Sequence, residues 1–171
     1  MDYSKGEHVV YGSNGVCLIE DISSLSYPGD GAERTYYTLR PLNSPSSTLY
    51  VPADNEQLCA RIRRVLTPEQ VESIVAGTKG DKMEWNDDRK QRIAGFRDLI
   101  NRGDIRGIIL MACCIYNKRI SLRGLGKHLS DADEHMLRSA ERMVDGELSW
   151  SLGIPESQVG SYIRGVLGIA D

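Results

Sequence analysis

Apolar and polar positions follow two different periods along this chain. In the first third they occur in short runs rich in tyrosine and β-branched residues, which strands favour. These runs are Glu7-His8-Val9-Val10-Tyr11, Val16 to Ile22, Thr35 to Leu39, Thr48 to Pro52 and Arg61 to Leu66. Between the first two, Gly12-Ser13-Asn14-Gly15 predicts a tight turn, because Asn14 and Gly15 both tolerate φ > 0. Tyr27-Pro28-Gly29-Asp30-Gly31 predicts a looser one. Five short strands within residues 7–66 predict a small, twisted, partly closed antiparallel barrel.

From Thr67 the period becomes helical. Thr67-Pro68-Glu69-Gln70 reads as N-cap, N1 proline and the third-position Gln of a capping box. Val71, Ile74 and Val75 then share a face. A second helix is predicted from Asp88 to Arg102, with Ile93, Phe96, Leu99 and Ile100 as its apolar stripe. Gly103-Asp104 reads as a C′ glycine followed directly by a new N-cap. A third helix, Ile105 to Arg119, is apolar on most sides and belongs at the centre of the helical half. Ser121 to Leu129 is predicted to be a loop. Ser130 with Asp133 opens a long helix whose stripe is Met136, Leu137, Ala140, Met143, Val144, Leu148 and Leu152, with Trp150 expected in the core. Pro155 starts a last helix carrying Val159, Ile163 and Val166. The expected fold class is α+β, with a sheet domain over 1–66 and an all-helical domain of about five helices over 67–171.

Composition narrows the class. The chain has 171 residues, 40% of them hydrophobic and 26% charged, as in ordinary globular proteins. The longest nearly uncharged apolar run, Gly107 to Tyr116, is shorter than the roughly 20 residues of a membrane helix. The first residues lack the apolar stretch of a secretory leader, so a cytoplasmic location is expected. Cys17, Cys59, Cys113 and Cys114 have no C-x-x-C spacing, and His8, His128 and His135 form no ligand pattern, so no metal or disulfide is expected. No dinucleotide, P-loop or nucleophile-elbow motif is present. Gly124-Leu125-Gly126-Lys127-His128 lacks both the spacing and the Ser/Thr of a phosphate loop. Asp87-Asp88 precedes a helix, where acids favour the positive end of its dipole. No catalytic residue, cofactor or small-molecule substrate is expected.

The net charge of −3 argues against a nucleic-acid binder until it is divided. Residues 89–127 alone carry ten basic and two acidic side chains, net +8, while the segments on either side are acidic. One account pairs these cations with the acidic long helix. The other makes them an anion-binding face for a nucleic-acid backbone, where each neutralised phosphate releases counterions. Trp85 stands just before this block in Lys82-Met83-Glu84-Trp85-Asn86-Asp87-Asp88-Arg89. It is either an anchor packed over a helix end or an exposed wedge that stacks on bases at a distorted duplex.

At these residues the chain resembles the CarD family of bacterial transcription regulators. The resemblance is carried by Gly6-Glu7-His8-Val9-Val10-Tyr11 with Asn14-Gly15-Val16, Tyr36-Tyr37-Thr38-Leu39, Val51-Pro52-Ala53-Asp54-Asn55 and Ile62-Arg63-Arg64-Val65. In the helical half it continues through Trp85-Asn86-Asp87-Asp88, Arg92, Gly103-Asp104, Tyr116-Asn117-Lys118-Arg119, Leu129 to Glu134 and Glu147-Leu148. It implies a Tudor-like N-terminal domain that binds the β subunit of bacterial RNA polymerase, a module shared with transcription-repair coupling factor. It also implies a helical domain that contacts promoter DNA at the upstream edge of the melted bubble, largely without sequence preference, and alters the lifetime of the open complex. On this resemblance Trp85 is the wedge and Arg92 a basic contact. The charge map adds Arg89 and Lys90, and Lys118 and Arg119 complete the expected DNA-binding set. Polymerase contacts are expected at Leu25, Tyr37, Tyr50 and Val51, along a strand edge. Relatives carry arginines near Leu25 and Tyr50, and a basic residue at Glu134, so the DNA face is not extended onto the long helix. Tethering to polymerase would compensate for a weak DNA contact. The competing expectation is a protein-interaction module whose basic block is neutralised internally.

Overall fold

A computed structural model describes residues 3–25 and 33–168, and the chain divides into two units, Met1–Val65 and Leu66–Asp171. The expected turn at Tyr27 to Gly31 lies outside the described residues.

The first unit is a five-stranded antiparallel sheet. Its strands are β1 (His8–Tyr11), β2 (Val16–Leu25), β3 (Arg34–Pro41), β4 (Leu49–Pro52) and β5 (Ile62–Arg64), in the order β4-β3-β2-β1-β5. Val9 pairs with Cys17, Ile19 with Leu39, Tyr37 with Val51 and Tyr11 with Ile62. Their side chains, apart from half-buried Tyr37, form the buried core of the unit, as alternation requires. The register shifts between Ile19 and Asp21. That bulge carries Ile22 rather than Asp21 onto the apolar side.

One expectation for this unit is corrected. Among the described residues the sheet does not close into a barrel, since β4 and β5 stand at its two edges. Strands of four and three residues offer few bonds with which to complete a ring. The β1–β2 connection is a 3₁₀ turn over Gly12–Asn14, and it is Gly12 (φ 48°) and Gly15 (φ 70°), not Asn14, that take positive φ. The unit also contains a one-turn helix, α1 (Glu56–Cys59), whose N-cap Asn55 accepts a hydrogen bond from the Leu58 N–H at 3.1 Å.

The second unit contains α2 (Pro68–Ala76), α3 (Arg89–Arg102), α4 (Ile105–Gly124), α5 (Asp131–Leu152) and α6 (Glu156–Leu167). Local chemistry sets most of the boundaries. Thr67 and Gln70 form a reciprocal capping box, and Asp88, Asp104 and Ser130 cap the next three helices. Gly103 ends α3 in the left-handed conformation, φ 64°. Ile108, Met111 and Ile115 of α4 are fully buried among Phe96 and Ile100 of α3, Leu137, Ala140 and Leu148 of α5, and Val159 of α6. Each such side chain contributes about 1.5–3 kcal/mol on burial.

α4 runs five residues beyond the expected Arg119, through part of the predicted loop. The chain turns one step later, at Gly126 (φ 67°), where the Lys127 N–H donates to the Leu122 carbonyl at 2.8 Å. Trp150 is 46% exposed rather than in the core. Two residues past Leu148 is about 200° around a helix, so the apolar stripe that buries Leu148 turns Trp150 outward. Among the described residues no helix is long and apolar enough to cross a membrane.

Candidate functional site

The polar turn Trp85-Asn86-Asp87-Asp88 starts α3 and fixes itself by short-range hydrogen bonds. The Asn86 side-chain oxygen accepts from the Asp88 N–H at 2.9 Å, and the Asp88 carboxylate accepts from the Gln91 N–H at 3.0 Å. The second places Asp88 as the helix cap.

Arg92, one turn into α3, gathers this segment. It is only 8% exposed. Its Nε and Nη2 donate to the two carboxylate oxygens of Asp133, each at 3.0 Å. Its Nη1 donates to the backbone carbonyls of Asn86, at 2.6 Å, and Asp87, at 3.4 Å. The guanidinium carbon lies 4.1 Å from the centre of the Trp85 ring, within cation–π range. Asp133 is held in turn by the Ser130 hydroxyl at 2.6 Å. Burial works against the charged Asp133 carboxyl, but the Arg92 and Ser130 hydrogen bonds outweigh it and keep its pKa below the usual value.

Trp85 is half-buried and packs against the edge of the helical core. The Lys118 Nζ of α4 lies 5.2 Å from its ring centre and 4.0 Å from the Asp87 carboxylate. Beside the ring is a cavity of about 280 Å³ bordered by Met83, Cys113, Asn117 and Lys118. The turn thus presents an aromatic ring with one cation packed behind it in the interior and a second at its accessible rim. Trp85 is an anchor packed at a helix start that keeps part of its surface accessible.

The five cations expected to bind DNA fall into three environments. Arg89 and Lys90 are exposed in the first turn of α3 and make no ion pair among the described residues. That turn holds no acidic side chain. Cations there oppose the positive end of the helix dipole, although the Arg89 charge also favours the ionised Asp133 carboxylate. Lys118 and Arg119 are partly buried; Arg119 is 3.6 Å from Glu134 of α5 and stacks on Tyr116 at 4.8 Å. Arg92 is interior, which corrects the expectation of an exposed basic contact: the carboxylate that captures it lies 41 residues away in sequence. Elsewhere in the basic block Arg102 pairs with Asp98 at 2.7 Å and Arg106 with Asp81. Arg97, Arg123 and Lys127 are exposed, with no carboxylate partner among the described residues.

In the sheet unit Tyr50 stands 49% exposed on edge strand β4. Leu25 ends β2 and is half-buried. Tyr37 is half-buried and packs edge-on against Tyr3 with ring centres 6.1 Å apart. The Val51 side chain is 1% exposed, so this position offers a partner only its backbone.

Burial pushes the Cys17 thiol up to about 11, and that of Cys114 also rises on burial, the reverse of nucleophilic activation. Among the described residues no group of His, Cys, Asp or Glu side chains converges for a metal ion.

Residues 3–66, which take in most of the sheet unit, match the family described as the CarD-like/TRCF RID domain. A domain of this family points to interaction with RNA polymerase in transcription. Residues 67–171 lie beyond the match. No curated protein matches the chain.

Proposed function

We propose that this protein is a non-enzymatic regulator of transcription initiation. Its sheet unit, a Tudor-like module, binds the RNA polymerase β subunit along the β4 edge, where Tyr50 is exposed. Its helical unit touches promoter DNA at the upstream edge of the bubble and changes the lifetime of the open complex. The observation that carries this reading is the turn 85–90. It combines a partly accessible indole backed by cations with two exposed cations, Arg89 and Lys90, in the first turn of α3. Aromatic stacking and phosphate neutralisation need little sequence recognition, and delivery by polymerase raises the local concentration of a weak DNA ligand. The protein then works in the cytoplasm, wherever polymerase engages the chromosome.

The experiment is open-complex decay on a promoter with polymerase and Trp85→Ala. The variant should still be retained by the β subunit in a pull-down yet leave the decay rate at its value without regulator. Normal regulation by Trp85→Ala would remove the DNA role.

A second reading is favoured by the ion pairs Arg92–Asp133, Arg102–Asp98, Arg106–Asp81 and Arg119–Glu134. They neutralise much of the basic block, as in a pure protein-interaction module. Under that reading Arg89→Glu with Lys90→Glu leaves DNA retention unchanged.

A further inference from the structure

We propose that Arg92 is a positioning residue that acts on DNA only through Trp85, locked in place by Asp133. The proposal rests on the reading of Trp85 as a DNA contact and adds what sets the ring in place.

Three observations converge. First, the guanidinium has no free direction. Nε and Nη2 face the two oxygens of Asp133, and Nη1 faces the carbonyls of Asn86 and Asp87. With 8% of the residue exposed, a phosphate would be reached only by breaking the two-pronged pair. Second, the carbonyls it holds belong to the two residues after Trp85, so the backbone that carries the indole is pinned along with the ring. Third, its guanidinium carbon lies over the Trp85 ring, 4.1 Å from the ring centre, which covers one side of the indole. Asp133 is itself fixed at the start of α5, where its N–H donates to Ser130 at 3.3 Å and its carboxylate accepts from the same hydroxyl.

The chain of restraint therefore runs from α5 through Asp133 and Arg92 to Trp85. An indole ordered before it meets DNA does not have to be ordered on binding. The geometry calls for a planar fork that stacks and pairs at once, which lysine cannot supply.

The test uses the full chain with Trp150→Phe, so that Trp85 is the only tryptophan of the two that remains to report fluorescence. Arg92→Lys and Asp133→Asn are compared with this parent by iodide quenching of Trp85 and by affinity for a bubble-containing duplex across a salt series. Both variants should raise the quenching and weaken binding at least about fivefold, with the salt slope unchanged. Arg89→Ala, in contrast, should lower the slope by about 0.9 without altering the quenching, as loss of one phosphate contact does. Parent-like affinity and quenching in Arg92→Lys would overturn the proposal, because charge alone would then suffice. A reduced slope in that variant would also overturn it, by making Arg92 a direct phosphate contact. If either single variant does not fold, Arg92→Met with Asp133→Leu removes both buried charges together, and the same two results are required of it. Full affinity in Trp85→Ala would defeat the DNA reading itself, which the quenching measurement keeps separate from the hold on the ring.

Discussion

The carboxylate of Glu147, on the buried side of α5, accepts a hydrogen bond from the backbone N–H of Leu66 at 3.3 Å. Glu147 is 2% exposed, so its oxygens have lost water and depend on protein donors. Glu147→Ala removes the acceptor and leaves a void. It should cost about 2–4 kcal/mol in a urea unfolding curve, from an unsatisfied N–H and a cavity together. Glu147→Gln keeps an acceptor oxygen and should cost clearly less. Equal losses would mean that charge rather than acceptance matters.

Arg89 and Lys90 lead to effects of opposite sign. Replacing both with Glu puts acids at the N-terminal end of α3, where each contributes about 0.3–1 kcal/mol to stability. The double variant should melt at a higher temperature than the parent while binding DNA more weakly and with a shallower salt slope. Arg102→Gln, which breaks an exposed pair with Asp98, should leave DNA binding unchanged. Calorimetry and a salt titration check the two halves separately.

Asp145 links stability to pH. Burial, then the nearby charges of Glu141 and Glu156, raise its pKa from 3.8 to about 6. A carboxyl that holds its proton more tightly when folded contributes stability below pH 3.8, and that contribution is lost as pH rises through 6. The parent should therefore lose Tm over this interval. Asp145→Asn should lack that loss and be more stable at pH 7, by about 1 kcal/mol once solvent screening of a partly exposed group is allowed for. A pH profile of Tm that is the same for both proteins would refute this.

Gly107 marks a close approach within the helical core. A methyl group there would lie 2.6 Å from the Leu99 side chain and 2.8 Å from the Asp104 carboxylate that caps α4. Gly107→Ala gains helix propensity of about 1 kcal/mol. The clash with Leu99 and the disturbed cap should outweigh this, for a net loss of about 1–2 kcal/mol on chemical unfolding.

Features that arise within a few residues were legible in the sequence. Thr67, Asp88, Asp104 and Ser130 cap helices because a side-chain oxygen reaches an N–H two or three residues ahead, whatever the rest of the chain does. The same signal was available at Asn55, which opens the one-turn helix α1. α4 ends five residues past the expected Arg119, because Ser121 to Gly124 continue the helix and the left-handed turn falls only at Gly126. Trp150 lies near the apolar stripe in sequence but two residues, about 200°, past buried Leu148, which turns it outward. Arg92 could not be sorted from Arg89 by sequence, since its partner Asp133 meets it only through the packing of α3 on α5. A segment charge of +8 counts cations but not the carboxylates that claim them in three dimensions.

Each of the two units closes an apolar core of its own, around Ile19 and Leu39 in one and around Ile108 and Met111 in the other. A sheet that completes its interior from its own residues is portable. Recombination can splice it to a new neighbour without creating an unburied face, and a harmful change in one half need not misfold the other. The family match confined to residues 3–66 has the footprint of such a cassette.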